Sequence, residues 1–250
     1  MKRIYFTLIA LMATLVVSAQ TIEVYEYNTD GSLKSVPAYT STKKVKVIFK
    51  EIFHEYVDLG VPSGTLWATC NVGADKPEDF GDYFAWGETT PKDTYNWSTY
   101  QYVYMDRLTK YCSASSYGYN GFTDNLTVLQ PSDDAATANW GSGWCMPTRA
   151  QWEELLQNTT NTWITQDGVN GRLFIATNGN TLFLPAAGYR WDGGLYYAGN
   201  AGDYWSSSLS TGRPRSAWSF GFDSGYYGMN SGGGRGYGPS VRAVRPASQN

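Results

Sequence analysis

Residues 131–157 read PSDDAATANWGSGWCMPTRAQWEELLQ. Two short helices are written there, in a chain with few other helix signals. Thr148 supplies an N-cap oxygen, and Gln151, three residues on, completes a capping box. Trp152, Leu155 and Leu156 follow at i, i+3 and i+4, the spacing of one apolar helix face. Upstream, residues 133–139 predict a second short helix, with Ser132 as cap and Asp133 and Asp134 suited to the positive end of its dipole. Elsewhere Gly and aromatic residues alternate with strand-like runs at 172–176, 181–185 and 217–222. No repeat, heptad or phosphate-binding glycine loop occurs. The class is α+β with much irregular loop.

Toward the N-terminus, residues 1–19 read MKRIYFTLIALMATLVVSA. Lys2 and Arg3, an apolar run and the small-residue motif Val17-Ser18-Ala19 describe a secretory signal peptide, too short for a bilayer span. The expected localisation is therefore secreted, extracellular or on the outer cell surface, with no membrane span after cleavage. Residues 20–52 differ from the rest: IEVYEY and KVKVIF alternate like strands around an Asn28-Thr29-Asp30-Gly31 turn, and five of the nine Lys fall between 34 and 50. They predict a small β appendage or stalk. The main domain is expected over 53–250. Export makes a disulfide permissible. The three cysteines allow one, and Cys70 with Cys112 is the expected pair because Cys145 lies in a stretch that reads as buried; three reduced core thiols are the alternative.

The 250 residues carry 19 Lys+Arg against 22 Asp+Glu, a net −3, which argues against a nucleic-acid partner. Aromatic residues are as frequent as charged ones, 16% each, which excludes intrinsic disorder. The single His54 excludes a multi-His metal site.

Seven ordered phrases carry a resemblance. They are EYVDLGVPSGTLWATCNVGA (55–74), FGDYFAWGET (80–89), LTKYC (108–112), PSDDAATANWGSGWCMPT (131–148), LFLPAAGYR (182–190), YWSSS (204–208) and SVRAVRP (240–246). Together they resemble the Fibrobacter succinogenes major domain family of secreted and surface proteins from Bacteroidetes. That family looks like a branch of the C-type lectin fold, related to the formylglycine-generating-enzyme type. The resemblance implies two short helices, a small twisted antiparallel sheet and long loops. It also implies paired chain ends, with the strand at 240–245 near 56–59. One departure is Cys145, where the family usually has Arg.

Formylglycine-generating enzymes need a late reactive Cys pair, and no Cys follows Cys145. Glu154 is the last Glu, so catalysis is not expected, and Asp192, Asp203 and Asp223 read as turn formers. The sugar-binding tripeptides of calcium-dependent lectins are absent. Asp124, Asp133 and Asp134 are weak Ca²⁺ candidates, better read as turn and cap residues. No cofactor is expected.

Residues 189–240 hold 13 Gly, 9 Ser, 7 Tyr, 3 Trp and 2 Phe, the composition of a paratope. Trp205, Trp218, Phe220 and Phe222 alternate like core strands. Arg190, Trp191, Tyr196, Tyr197, Arg213, Arg215, Tyr226, Tyr227, Asn230, Arg235 and Tyr237 are the expected binding residues, with the Arg as anchors. No Lys, Glu or Gln lies between 167 and 248. Pyrimidine-ended codons encode none of these three, so the string Asn230 to Tyr237 fits a segment varied by a diversity-generating retroelement. The expected function is an adhesin- or receptor-type binder of a protein or glycan on a cell or phage surface. A structural component of a surface or fimbrial assembly is the alternative, and behind it a formylglycine-generating-enzyme-like oxidase.

Overall fold

The computed structural model describes residues 22–24, 39–41, 54–104 and 106–246. The signal peptide and most of the expected appendage lie outside them. The chain divides into two compact units, Met1–Phe53 and His54–Asn250. In the first, strand β1 (Ile22–Val24) pairs antiparallel with β2 (Tyr39–Ser41).

The second unit runs β3 (Tyr56–Asp58), β4 (Leu66–Asn71), β5 (Val103–Tyr104), β6 (Arg107–Leu108), then the helices α1 (Ala135–Trp140) and α2 (Arg149–Asn158). After them come β7 (Thr159–Gln166), β8 (Val169–Ala176), β9 (Thr181–Pro185), β10 (Tyr189–Trp191) and β11 (Gly194–Tyr196). The last are β12 (Ala201–Leu209), β13 (Ser216–Asp223), β14 (Tyr227–Gly234), β15 (Gly238–Pro239) and β16 (Arg242–Arg245). The strands form small antiparallel sheets, ordered β3-β4-β16, β7-β8-β9, β12-β13-β14 and β10 between β11 and β15. With two α-helices among the described residues, the class is α+β. No described helix is long and apolar enough to cross a membrane.

The capping box forms as its sequence dictates. Thr148 Oγ1 accepts from the Gln151 amide at 3.2 Å, and the Gln151 side chain accepts from the Thr148 amide at 2.8 Å. Replacing Thr148 by Ala should cost about 1 kcal/mol, read as a lowered urea midpoint with unchanged slope. The first helix starts later than its pattern suggested. Pro131 opens a 3₁₀ turn over Pro131–Asp133, and Asp134, not Ser132, caps α1 by accepting from the Thr137 amide at 2.9 Å.

The end strand is also displaced from its expected neighbour. β16 pairs with β4 (Arg242↔Asn71, Val244↔Trp67), and β4 separates it from β3. Burial explains the order. Leu66, Trp67 and Ala68 are buried, as a central strand requires, whereas Tyr56 and Asp58 of β3 are exposed, as an edge tolerates.

Two aromatic-rich cores share this sheet. Ala68, Val241 and Ala243 face one, with Trp86, Tyr111, Trp205 and the α1 alanines. Trp67 and Val244 face the other, with Trp152 and Leu155 of α2, Tyr204, Phe220 and Phe222. Trp205, Phe220 and Phe222 are thus core residues, as their alternation predicted. Trp218 is half-buried and lies under the Arg149 guanidinium, 3.7 Å from its ring centroid.

Candidate functional site

β10 and β11 form a tight hairpin. Its two turn residues, Asp192 and Gly193, both have positive φ (49° and 84°), as a type I′ turn needs. The register sets Tyr189 directly across from Tyr196 on one side and Pro239 on the other. Cross-strand partners touch, so the Tyr189 and Tyr196 rings stack, centroids 6.0 Å apart and 24° inclined. Tyr197 lies 5.9 Å from Tyr189, and Tyr237 lies 5.8 Å from it and nearly parallel at 5°. Trp191 closes on Tyr237 at 4.2 Å. These five rings make a ledge whose outer members are open, Tyr196 at 44% and Tyr197 at 61% exposure.

A second aromatic pair stands at the β13–β14 turn, where Asp223 Oδ1 accepts from the amides of Gly225 (2.7 Å) and Tyr226 (2.8 Å). Tyr226 and Tyr227 project at 50% and 47% exposure. The Tyr226 hydroxyl donates to Asn230 Oδ1 at 3.1 Å, and the Arg172 guanidinium lies 4.5 Å from the Tyr227 centroid.

Between ledge and turn lies a groove of about 190 Å³, lined among others by Tyr189, Tyr197, Tyr226, Asn230, Asp203 and Asp223. Asp203 lies within β12, so it is not the turn former its glycine neighbours suggested. Its Oδ1 is buried with no hydrogen-bond partner. Burial pushes its carboxyl up to about 6, only partly countered by Ser219 and the Tyr204 amide.

The expected binding residues therefore divide. Trp191, Tyr196, Tyr197, Tyr226, Asn230 and Tyr237 gather around the ledge and groove, whereas Tyr227 lies against Arg172, and Arg190 points to the other face of β10, its guanidinium 5.2 Å from the Tyr83 ring. Arg213 and Arg215 do not join them. They lie in the β12–β13 loop, at the opposite end of β13 from Tyr226. Eight residues of strand span roughly 25 Å. Arg213 is exposed there, and Arg215 stacks on Trp97 at 4.3 Å.

Arg235 is not a surface anchor at all. It is fully buried, its amide donates to Arg215 O, and its guanidinium bonds to Tyr100, Tyr111, Pro214 and Lys110. Within the same string, a Cβ on Gly233 would meet the Trp205 ring at 2.9 Å. Both positions are held by the core rather than displayed. Sequence reasoning also missed Tyr189 and Asp203. Tyr189 was hidden inside a scaffold phrase, and Asp203 lacked any local motif.

The cysteines are unpaired. Cys70 belongs to β4 and Cys112 to a loop whose thiol donates to Ala114 O at 3.2 Å, so the expected disulfide is absent. Cys145 faces Val244 across an isolated bridge, and burial next to Asp134 pushes its thiol up to about 11. The three Ca²⁺ candidates each have another task. Asp124 accepts from the amides of Tyr111, Cys112 and Leu126. Asp133 pairs with Lys110 at 2.6 Å and accepts from the Tyr111 hydroxyl, and Asp134 caps α1 and accepts from Met146. No group of three or more His, Cys, Asp or Glu placed to hold a metal occurs among the described residues.

Compared with known proteins, the chain matches no family model, no curated protein and no solved structure.

Proposed function

We propose that this chain is an exported binding module of adhesin or receptor type, without catalytic activity, built on a C-type-lectin-like fold related to the Fibrobacter succinogenes major domain family. Its ligand is a protein or glycan displayed on a cell or phage surface. The observation that carries the reading is the aromatic ledge. Five rings in mutual contact, gathered around a hairpin with a rigid turn, leave two tyrosines about half exposed, and docking on a partner would bury that apolar area. Tyr and Trp supply such area at low entropic cost. The seven phrases, the two short helices and the end strand within the first sheet support the family and fold. The leader-like residues 1–19 support export.

Replacing Tyr196, Tyr197, Tyr226 and Tyr227 with Ala should abolish retention on glycan and surface-protein arrays, a loss of at least tenfold in affinity. The melting temperature should move little, because these side chains are about half exposed or more. Retention unchanged in the quadruple variant would overturn the reading.

A further inference from the structure

Resting on that reading, we propose that the groove takes the side chain of a Lys or Arg from a partner protein, its cationic head held among Tyr189, Tyr197 and Tyr226 above Asp203.

Three features point to a cation. Tyr189, Tyr197 and Tyr226 line the groove, and aromatic faces attract cations. Two carboxylate residues, Asp203 and Asp223, line it too, and no Lys or Arg does. Asp223 already accepts two amides of its turn, but Asp203 Oδ1 accepts nothing. A buried carboxylate without a counter-charge is costly, and a cation entering from the groove removes that cost.

Size points to a single side chain. About 190 Å³ is below the 300–1,000 Å³ or so of pockets that enclose whole small ligands. Arg172 and Arg190 are committed elsewhere. Arg172 stands behind Phe222 and donates to the carbonyls of Asp223 (2.7 Å) and Tyr226 (3.3 Å). Arg190 lies over Tyr83. From β13 and the segment at Ser240, Asp203 meets only uncharged groups: the Ser219 hydroxyl, and the Ser240 amide, which donates to its carbonyl at 3.1 Å. Tyr189, from β10, feels its charge.

The test titrates the purified protein with the capped tripeptides Gly-Lys-Gly and Gly-Arg-Gly. Capped Gly-norleucine-Gly and methyl β-galactoside serve as uncharged competitors. Amide shifts of Gly188, Gly202 and Gly221 report the groove. At pH 7.5 a basic peptide should bind at least fivefold tighter than norleucine. That preference should vanish at pH 5, where Asp203 is largely protonated, and in Asp203→Asn at either pH. Fold is controlled by the same variant. Because burial raises the Asp203 carboxyl, its ionised form destabilises the fold at pH 7.5. Asp203→Asn should therefore melt higher than the parent at pH 7.5, with the gap narrowing as pH falls through about 6 and closing only below the ordinary carboxylate value of about 3.9.

Equal or better binding of norleucine or the galactoside overturns the proposal. So does the absence of basic-peptide binding, or a preference that survives both pH 5 and Asp203→Asn. Array retention of the parent, lost in the quadruple tyrosine variant while the peptides fail, would leave the binding-module reading standing and sink only the cationic anchor.

Discussion

Replacing Arg235 with Ala should lower unfolding free energy by about 3–5 kcal/mol, enough to leave a marginal domain largely unfolded at 37 °C. The guanidinium is fully buried and has no carboxylate among its acceptors. Nε donates to the Tyr100 hydroxyl at 2.9 Å, Nη1 to the carbonyls of Tyr111 (3.0 Å) and Pro214 (2.8 Å), and Nη2 to that of Lys110 (3.0 Å). The charge is spread over rings instead: Trp86 lies at 4.9 Å, Tyr100 at 5.3 Å and Tyr111 at 5.9 Å. Burial pushes the Tyr100 hydroxyl up to about 12, so it remains neutral and donates its own hydrogen bond to Trp86 O at 2.7 Å. One side chain thus ties three separate loops together.

Truncation orphans two buried carbonyls and a part-buried one and leaves a cavity between aromatic rings. Arg235→Lys should recover less than half of the loss, because a single ammonium cannot reproduce the planar fork. Urea unfolding of the two variants against the parent decides it. An Ala variant within 1 kcal/mol of the parent would show that the network is not holding the loops.

Arg235 also marks where sequence reading stops. Flanked by glycines and lacking periodicity, it looks like a loop anchor. Nothing local reveals that Lys110, Tyr111 and Pro214 supply its acceptors. By contrast, local signals were read well. The Thr148–Gln151 box, the helix face with Trp152 and Leu155, and the runs at 172–176, 181–185 and 217–222 all appear as helix or strand. Alternation also sorted Trp205, Phe220 and Phe222 inward.

Apart from the late start of α1, a local matter of its cap, the larger errors share one cause: long-range pairing. The end strand meets β4 and not 56–59, because only the tertiary fold reveals that β4 needs two neighbours. The binding set separates because β13 carries its Arg-rich loop and its Tyr-rich turn to opposite ends. Asp203 could not be singled out, since its buried, unpartnered oxygen depends on strands far along the chain.

Ending the chain at Pro239 should prevent folding altogether. The lost segment contains Val241, Arg242, Ala243 and Val244, each 0% exposed. Val241 and Ala243 face one core and Val244 the other, so the strand is a wall shared by both. Its backbone reaches three places: Val241 O accepts from Val72 at 2.9 Å, Ser240 O from Trp205 at 3.1 Å, and Val244 exchanges two bonds with Cys145 at 2.9 and 2.8 Å. Arg242 adds donors to Ala68 O (3.0 Å), Thr69 O (2.8 Å) and Asn71 Oδ1 (2.9 Å). Burying each Val is worth roughly 1.5–3 kcal/mol, and each orphaned buried polar group costs about 1–3 kcal/mol. The total matches or exceeds the 5–15 kcal/mol or so that holds a typical domain. The single change Val244→Ala should be survivable, costing about 2 kcal/mol. Near-UV circular dichroism and urea unfolding separate the cases. The truncated chain should lack fixed aromatic signal and a cooperative transition, while Val244→Ala keeps both at a lower midpoint. A truncated chain that still unfolds cooperatively would mean that β4 is closed by something other than β16.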